Sequence, residues 1–178
     1  MSESPSSQVA QALRKNFLFE KLTEQEIGLL GAEVWLEHIP AKSVIVREND
    51  EADALYLVVE GGVNVTKKDG RFLAYLGRDG FFGEMAIFTE GAKRTATCET
   101  ALDTTFAVVR KDVFNQYCDA NPGAALKIYR AIIRTMAERL QATSADLAVL
   151  MAAQVRQQGD VDSIVERAKR RKKQREGG

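Results

Sequence analysis

Leu55-Tyr56-Leu57-Val58-Val59-Glu60-Gly61-Gly62-Val63-Asn64-Val65 holds two β-rich runs around a Gly-Gly turn. Branched and aromatic side chains suit a pleated, half-buried surface, and the paired glycines mark the reversal between strands. Working outward, the pattern repeats. Val44-Ile45-Val46, Phe72-Leu73-Ala74-Tyr75-Leu76, residues 94–100 and residues 104–109 are further short runs. Turn signals part them at Glu48-Asn49-Asp50, Lys68-Asp69-Gly70 and Arg78-Asp79-Gly80. Six or more short strands at about 8–12-residue spacing predict an antiparallel roll or sandwich. The fold class is therefore α+β and mainly β, with a jelly-roll-like β-roll over residues 35–120.

The period is helical on both sides of that roll. Residues 1–7 are Ser-rich and predicted to be disordered, and residues 8–19 place Val9, Leu13 and Phe17 at helical spacing. Thr23-Glu24-Gln25-Glu26 is a capping box, in which Thr23 and Glu26 each satisfy an otherwise free amide of the other. A second helix follows with Ile27, Leu30 and Val34 on one face, completing an N-terminal segment over residues 1–34. Beyond Arg110, residues 111–120 read as a short helix, and Asn121-Pro122-Gly123 is a break that also suits a helix start. Residues 124–157 contain neither Pro nor Gly, so a long helix over residues 121–158 is expected, about 50 Å in length. Gly159-Asp160 is expected to end it, with Asp160 capping a last basic helix in a tail over residues 159–178.

Composition excludes several functions. The 178 residues carry 25 basic and 25 acidic side chains and are 45% hydrophobic, enough for one cored domain with no net field to steer it toward nucleic acid. The two cysteines, Cys98 and Cys118, make no disulfide framework and no metal-ligand spacing. A single histidine, His38, rules out a three-histidine metal site and leaves a haem ligand or a satisfied strand residue. No apolar run approaches the ~20 residues of a membrane span. The opening Met1-Ser2-Glu3-Ser4-Pro5 lacks the regions of a signal peptide, so a cytoplasmic protein is expected.

The chemistry lies in Phe81-Phe82-Gly83-Glu84-Met85-Ala86-Ile87 and the Arg94-Thr95-Ala96-Thr97 that follows. Gly83 lets the backbone approach a ligand, and residues 84–87 suit one helical turn whose first amides can meet a phosphate. Arg94, ten residues after Glu84, supplies a planar guanidinium for the same group. Thr95 adds further hydrogen-bonding groups. A carboxylate so close to an anion site must face a neutral part of the ligand, and a ribose hydroxyl is an apt partner. The alternative is a hairpin with an incidental Glu–Arg pair.

This string resembles the phosphate-binding cassette of cyclic nucleotide-binding domains, and Tyr56-Leu57-Val58-Val59-Glu60-Gly61 resembles the strand and turn ahead of it. The resemblance extends over about residues 18–150. It implies that Glu84 binds the ribose 2′-hydroxyl and Arg94 the cyclic phosphate. The phosphate oxygens fall to the amides of Phe82, Gly83, Glu84, Met85, Ala86 and Thr95. Asn49-Asp50 departs from a family pattern that often has Gly in this turn, and Asn tolerates the positive φ required. No catalytic residue, metal or cofactor is implied, since no nucleophile–base pair accompanies the site.

Leu126, Tyr129, Ile133, Met136, Leu140, Thr143, Leu147, Leu150 and Gln154 alternate by three and four, a heptad seam across about four heptads. It suits a homodimeric two-stranded coiled coil, or a helix packed on its own barrel. Thr143 either sets the register or has a function. Met136-Ala137-Glu138-Arg139-Leu140-Gln141-Ala142-Thr143-Ser144 resembles the matching helix of the bacterial catabolite activator family. That resemblance implies that Arg139 orients Glu84, and that Thr143 and Ser144 read the base across a dimer interface. In that family a DNA-binding domain follows, whereas 20 residues remain here after Gln158. Sequence-specific transcription control by this chain alone is not expected.

Residues 167–175 hold seven positive charges in nine positions. They form either a solvated helix end or a grip for an acidic protein, nucleic acid phosphates or an anionic surface. The expectation is a non-enzymatic receptor for cAMP, with cGMP second because of Thr95, that signals to a downstream protein. The alternative is a ligand-free coiled-coil scaffold with a basic anchor.

Overall fold

The computed structural model describes the backbone of residues 5–176, and the side chains of residues 7–151 except 86 and 146. The chain divides into two compact units, Met1–Ile132 and Ile133–Gly178.

The first unit contains the expected β-roll, built as two four-stranded antiparallel sheets. Its strands are β1 (Trp35–Ile39), β2 (Val44–Val46), β3 (Ala54–Glu60), β4 (Val63–Thr66), β5 (Phe72–Leu76), β6 (Phe81–Phe82), β7 (Thr97–Thr100) and β8 (Thr104–Arg110). One sheet runs β1-β8-β3-β6 and the other β2-β7-β4-β5. Val46, Val63 and Cys98 from the second sheet meet Ala54, Val58, Phe82, Phe106 and Val108 from the first in one core cluster. Side chains alternate across a strand, so Leu55, Leu57, Phe81, Ala107 and Val109 face the other way. They too are buried, because helices cover that face.

α1 (Pro5–Lys15) and α4 (Lys111–Ala120) pack on β8, α2 (Glu24–Gly31) packs on α1 and α4, α3 (Met85–Phe88) packs on β3 and α4, and α5 (Pro122–Glu176) completes the order. The capping box forms as read: Glu26 N donates to Thr23 Oγ1 at 3.3 Å and Thr23 N to Glu26 Oε2 at 2.7 Å. Glu26 also receives Lys127 Nζ, which ties α2 to the start of α5.

Three expectations need correction. Residues 5–7 belong to α1, with Pro5 at the first helical position where its missing N–H costs nothing; residues 1–4 lie outside the described residues. The strand count meets the expectation of six or more, with β1 and β6 joining the six runs read from the sequence. β1 is an edge strand with little burial, and β6 has two residues, so neither carries a readable period. The strand expected from residue 94 starts at Thr97. The helix expected to stop at Gly159 continues as helical backbone to Glu176. One glycine costs a helix only about 1 kcal/mol relative to alanine, less than good helix formers on both sides supply.

Candidate phosphate-binding site

The site grows from the end of β6. Gly83 has φ +87°, and a Cβ there would lie 2.5 Å from the Ala54 carbonyl oxygen and 2.6 Å from an Arg94 guanidinium nitrogen. Backbone conformation and space therefore both demand glycine. Glu84, half-buried, follows with helical dihedrals, and its carbonyl accepts from Ile87 N at 3.0 Å to close the single turn of α3. Phe82 does not face outward. Its ring is buried in the core and stacks on Tyr56 at 4.9 Å, so the side chain braces the wall while the backbone turns toward the loop. Met85 is exposed, and the Ala86 side chain lies outside the described residues.

Arg94 is positioned by a backbone zipper. Arg94 N donates to Asp50 O at 2.8 Å, Asn49 N to Arg94 O at 2.8 Å, and Ala52 N to Ala92 O at 3.0 Å. Asn49 has φ +74°, so the turn forms without the glycine the family often uses. The Arg94 side chain then runs inward. The residue is 6% exposed, its Nη1 donates to Ala54 O at 2.9 Å, and its guanidinium carbon lies 5.6 Å from the Tyr56 ring centroid. Nη2 reaches Asp53 Oδ1 at 3.2 Å, and buried Nε has no hydrogen-bond partner. Asp53 is itself largely in solvent, so it screens this charge only weakly. The result is a buried cation with an unused donor, beside a glycine loop and the first turn of a helix.

Thr95 is exposed, and its carbonyl accepts from Lys67 Nζ at 2.9 Å. Asp53, Tyr56, Lys67 and Glu48 carry no sequence signal as site residues, because partners distant in the chain bring them here. A cleft of about 490 Å³ nearby, lined by Gly91, Arg110, Lys111 and Asp112, shares Ala52, Asp53 and Ala92 with the site.

Arg139, Thr143 and Ser144 belong to the second unit, on α5. Thr143 Oγ1 donates to Arg139 O at 2.9 Å, the back-bond common for a helical threonine. Thr143 and Ser144 are exposed and Arg139 half-buried. Along the seam, Leu126, Ile133, Leu140 and Leu147 are all exposed at seven-residue intervals. The side chains of Gln154 and of residues 167–175 lie outside the described residues.

Burial pushes the Cys98 thiol up to about 12 and raises that of Cys118 as well, so neither is a thiolate nucleophile near neutral pH. His38 occupies β1 with Nδ1 3.2 Å from Thr105 Oγ1, a hydrogen-bonded strand position. Among the described residues, no group of three or more His, Cys, Asp or Glu could hold a metal ion, and no helix is long and apolar enough to cross a membrane.

Residues 36–121 match the family model of the cyclic nucleotide-binding domain. The cAMP-activated global transcriptional regulator CRP of Haemophilus influenzae is 36% identical over 113 residues, which cover 61% of this chain and 49% of that protein. The chain thus spans about half the length of the curated regulators it matches first. A cyclic nucleotide-binding domain from Methylobacillus flagellatus superposes with TM-score 0.66 at 26% identity, over 77% of this chain and 79% of that one. The Thermus thermophilus Catabolite Activator Protein gives TM-score 0.62 at 26% identity, over 75% and 62%. With the β-roll in place as expected, residues 36–121 are those that match the cyclic nucleotide-binding domain family.

Proposed function

We propose that this chain is a non-enzymatic cyclic-nucleotide receptor that prefers cAMP to cGMP and dimerises through α5. The observation that carries the reading is Arg94, a buried guanidinium whose Nε lacks a partner beside the Gly83 loop. A cyclic phosphate brings one negative charge, and burying it unpaired costs several kcal/mol. Arg94 supplies the full counter-charge, while amides of residues 83–86 and of Thr95 donate to the phosphate oxygens. Glu84, an acceptor when ionised, takes the ribose 2′-hydroxyl. Arg139 orients Glu84, and Thr143 and Ser144 read the base from the seam of the dimer. The preference for cAMP is supported by the name of the Haemophilus influenzae relative.

Dimerisation is supported by the exposed leucines and isoleucine of the seam, which a single copy leaves in water. Ligand closure of α5 over the base then changes what the helix presents, and a downstream protein reads that change. Residues 167–175 offer such a partner, or an anionic surface, a cluster of positive charge.

Calorimetry with cAMP and cGMP, run beside light scattering at micromolar concentration, tests the reading. Binding of cAMP tighter than cGMP to a dimer is the expected result. A dimer that binds neither nucleotide is instead the scaffold with a basic anchor.

A further inference from the structure

We infer that Lys67, held by Glu48, is a positioning residue for the phosphate site: it clamps the main chain at Thr95 and sets which phosphate oxygen the site recognises. The inference rests on the cyclic-nucleotide reading above and names a residue outside the cassette.

Sheet register places the clamp. β7 lies between β2 and β4, with Val46 opposite Cys98 on one side and Thr66 opposite Thr97 on the other. Just past those pairs, β2 delivers Glu48 and β4 delivers Lys67 to opposite flanks of the chain leading from Arg94 into β7. The two side chains join across it as an ion pair of partly buried groups. Lys67 Nζ also donates to Thr95 O at 2.9 Å. Glu48 is fixed in turn, because its second oxygen accepts from Lys68 N at 2.7 Å and its own amide donates to Thr97 Oγ1 at 3.0 Å. The hydrogen bonds from Lys67 and Lys68 hold the Glu48 carboxyl below its ordinary range, so it stays a carboxylate at neutral pH.

The consequence concerns direction. Thr95 is exposed, and at its C-terminal side the chain is held by a charged donor rather than by a strand partner. Pinning the peptide after Thr95 fixes the Thr95 backbone, and with it the bearing of the Thr95 N–H and hydroxyl. Arg94 is anchored independently, through Asp50 and Ala54. Charge at the site is therefore set by Arg94, and the aim of the neighbouring donors by Lys67. Lys67 itself need not touch the ligand.

The two exocyclic oxygens of a cyclic phosphate are distinguished by replacing one or the other with sulfur. Calorimetry on the full chain would measure cAMP and its two phosphorothioate diastereomers against wild type, Lys67→Met and Glu48→Gln, with a thermal melt on each. Lys67→Met should weaken cAMP about tenfold, the scale of one lost charge-assisted contact. It should also change the affinity ratio of the two diastereomers by about threefold or more. Glu48→Gln keeps the clamp's shape and should move the ratio the same way by less, which carries the test if Lys67→Met does not fold. Unchanged ratios overturn the inference, even with equal weakening of all three ligands, because a general charge effect or loosened hairpin acts on both diastereomers alike. A wild-type chain that binds no cyclic nucleotide overturns the proposed function, and the clamp's role falls with it.

Discussion

The two units use apolar residues in opposite ways. In Met1–Ile132, Leu13, Phe19, Phe81, Phe106 and Ile128 are essentially inaccessible, packed between two sheets or under helices. In Ile133–Gly178, Leu140 is 68% exposed and Leu147 53%. Burying a leucine side chain stabilises by about 1.5–3 kcal/mol, so the first unit has realised that energy within one copy and the second has not. A sandwich of sheets closes its core with its own strands. A helix with one apolar stripe needs another surface. The same contrast separates the proposed binding chemistry, with the phosphate end in the self-contained unit and the base-reading hydroxyls on the helix that lacks a partner.

The largest expected effect breaks the second unit and spares the first. Leu140→Glu with Leu147→Glu removes four seam leucines from a dimer, on the order of 6–12 kcal/mol of burial. Light scattering should then report monomers, while fluorescence of Trp35, the chain's one tryptophan, follows an unchanged melt of the first unit. A wild-type monomer at micromolar concentration, with or without nucleotide, would reject the assignment.

Arg94→Ala tests the self-contained side. It should cost roughly 2–4 kcal/mol of binding, about 30- to 1000-fold in dissociation constant. Because Arg94 is buried and bonded to Ala54 O, stability should also fall, by about 1–3 kcal/mol. Arg94→Lys should recover part of the binding, since it keeps the charge but loses the planar fork. Calorimetry showing cAMP within about threefold of wild type would mean that the phosphate site lies elsewhere.

Thr143→Ala with Ser144→Ala sharpens the division of labour. Two hydroxyl contacts amount to about 1–3 kcal/mol, so the ratio of cAMP to cGMP affinity should narrow by about tenfold with little change in sugar-phosphate binding. An equal loss for both nucleotides would assign the pair to helix packing.

The smallest effect is a pH dependence. Glu48 is held below its ordinary range, first by the Lys67 side chain and then by the Lys68 amide. A depressed carboxyl contributes stability that is present above its unfolded pKa and lost as pH falls through the folded one. The melting advantage of wild type over Glu48→Gln should therefore hold at neutral pH and vanish on acidification below the ordinary carboxylate range. A constant gap across that range would show that the carboxylate's charge contributes nothing.

Period and local chemistry were legible in the residues themselves. Alternating runs between turn signals marked six of the eight strands, Thr23 and Glu26 marked a helix start, and Gly83-Glu84 with Arg94 ten residues on marked the candidate phosphate loop. Each is a short-range property, fixed by side-chain spacing and backbone preference within a few residues. The heptad seam was legible for the same reason. Tertiary structure alone decided the rest. Arg94 meets Asp53 from 41 positions away and Lys67 meets Glu48 from 19, and only sheet register sets those meetings. The burial of Arg94 depends on β3 and its Tyr56, and the identity of β1 depends on β8, the strand it pairs with. Spacing along a chain specifies which groups a loop or helix face presents. Which of them end up opposed, dry or exposed is set by long-range pairing, where each contact's energy depends on partners the local sequence does not contain.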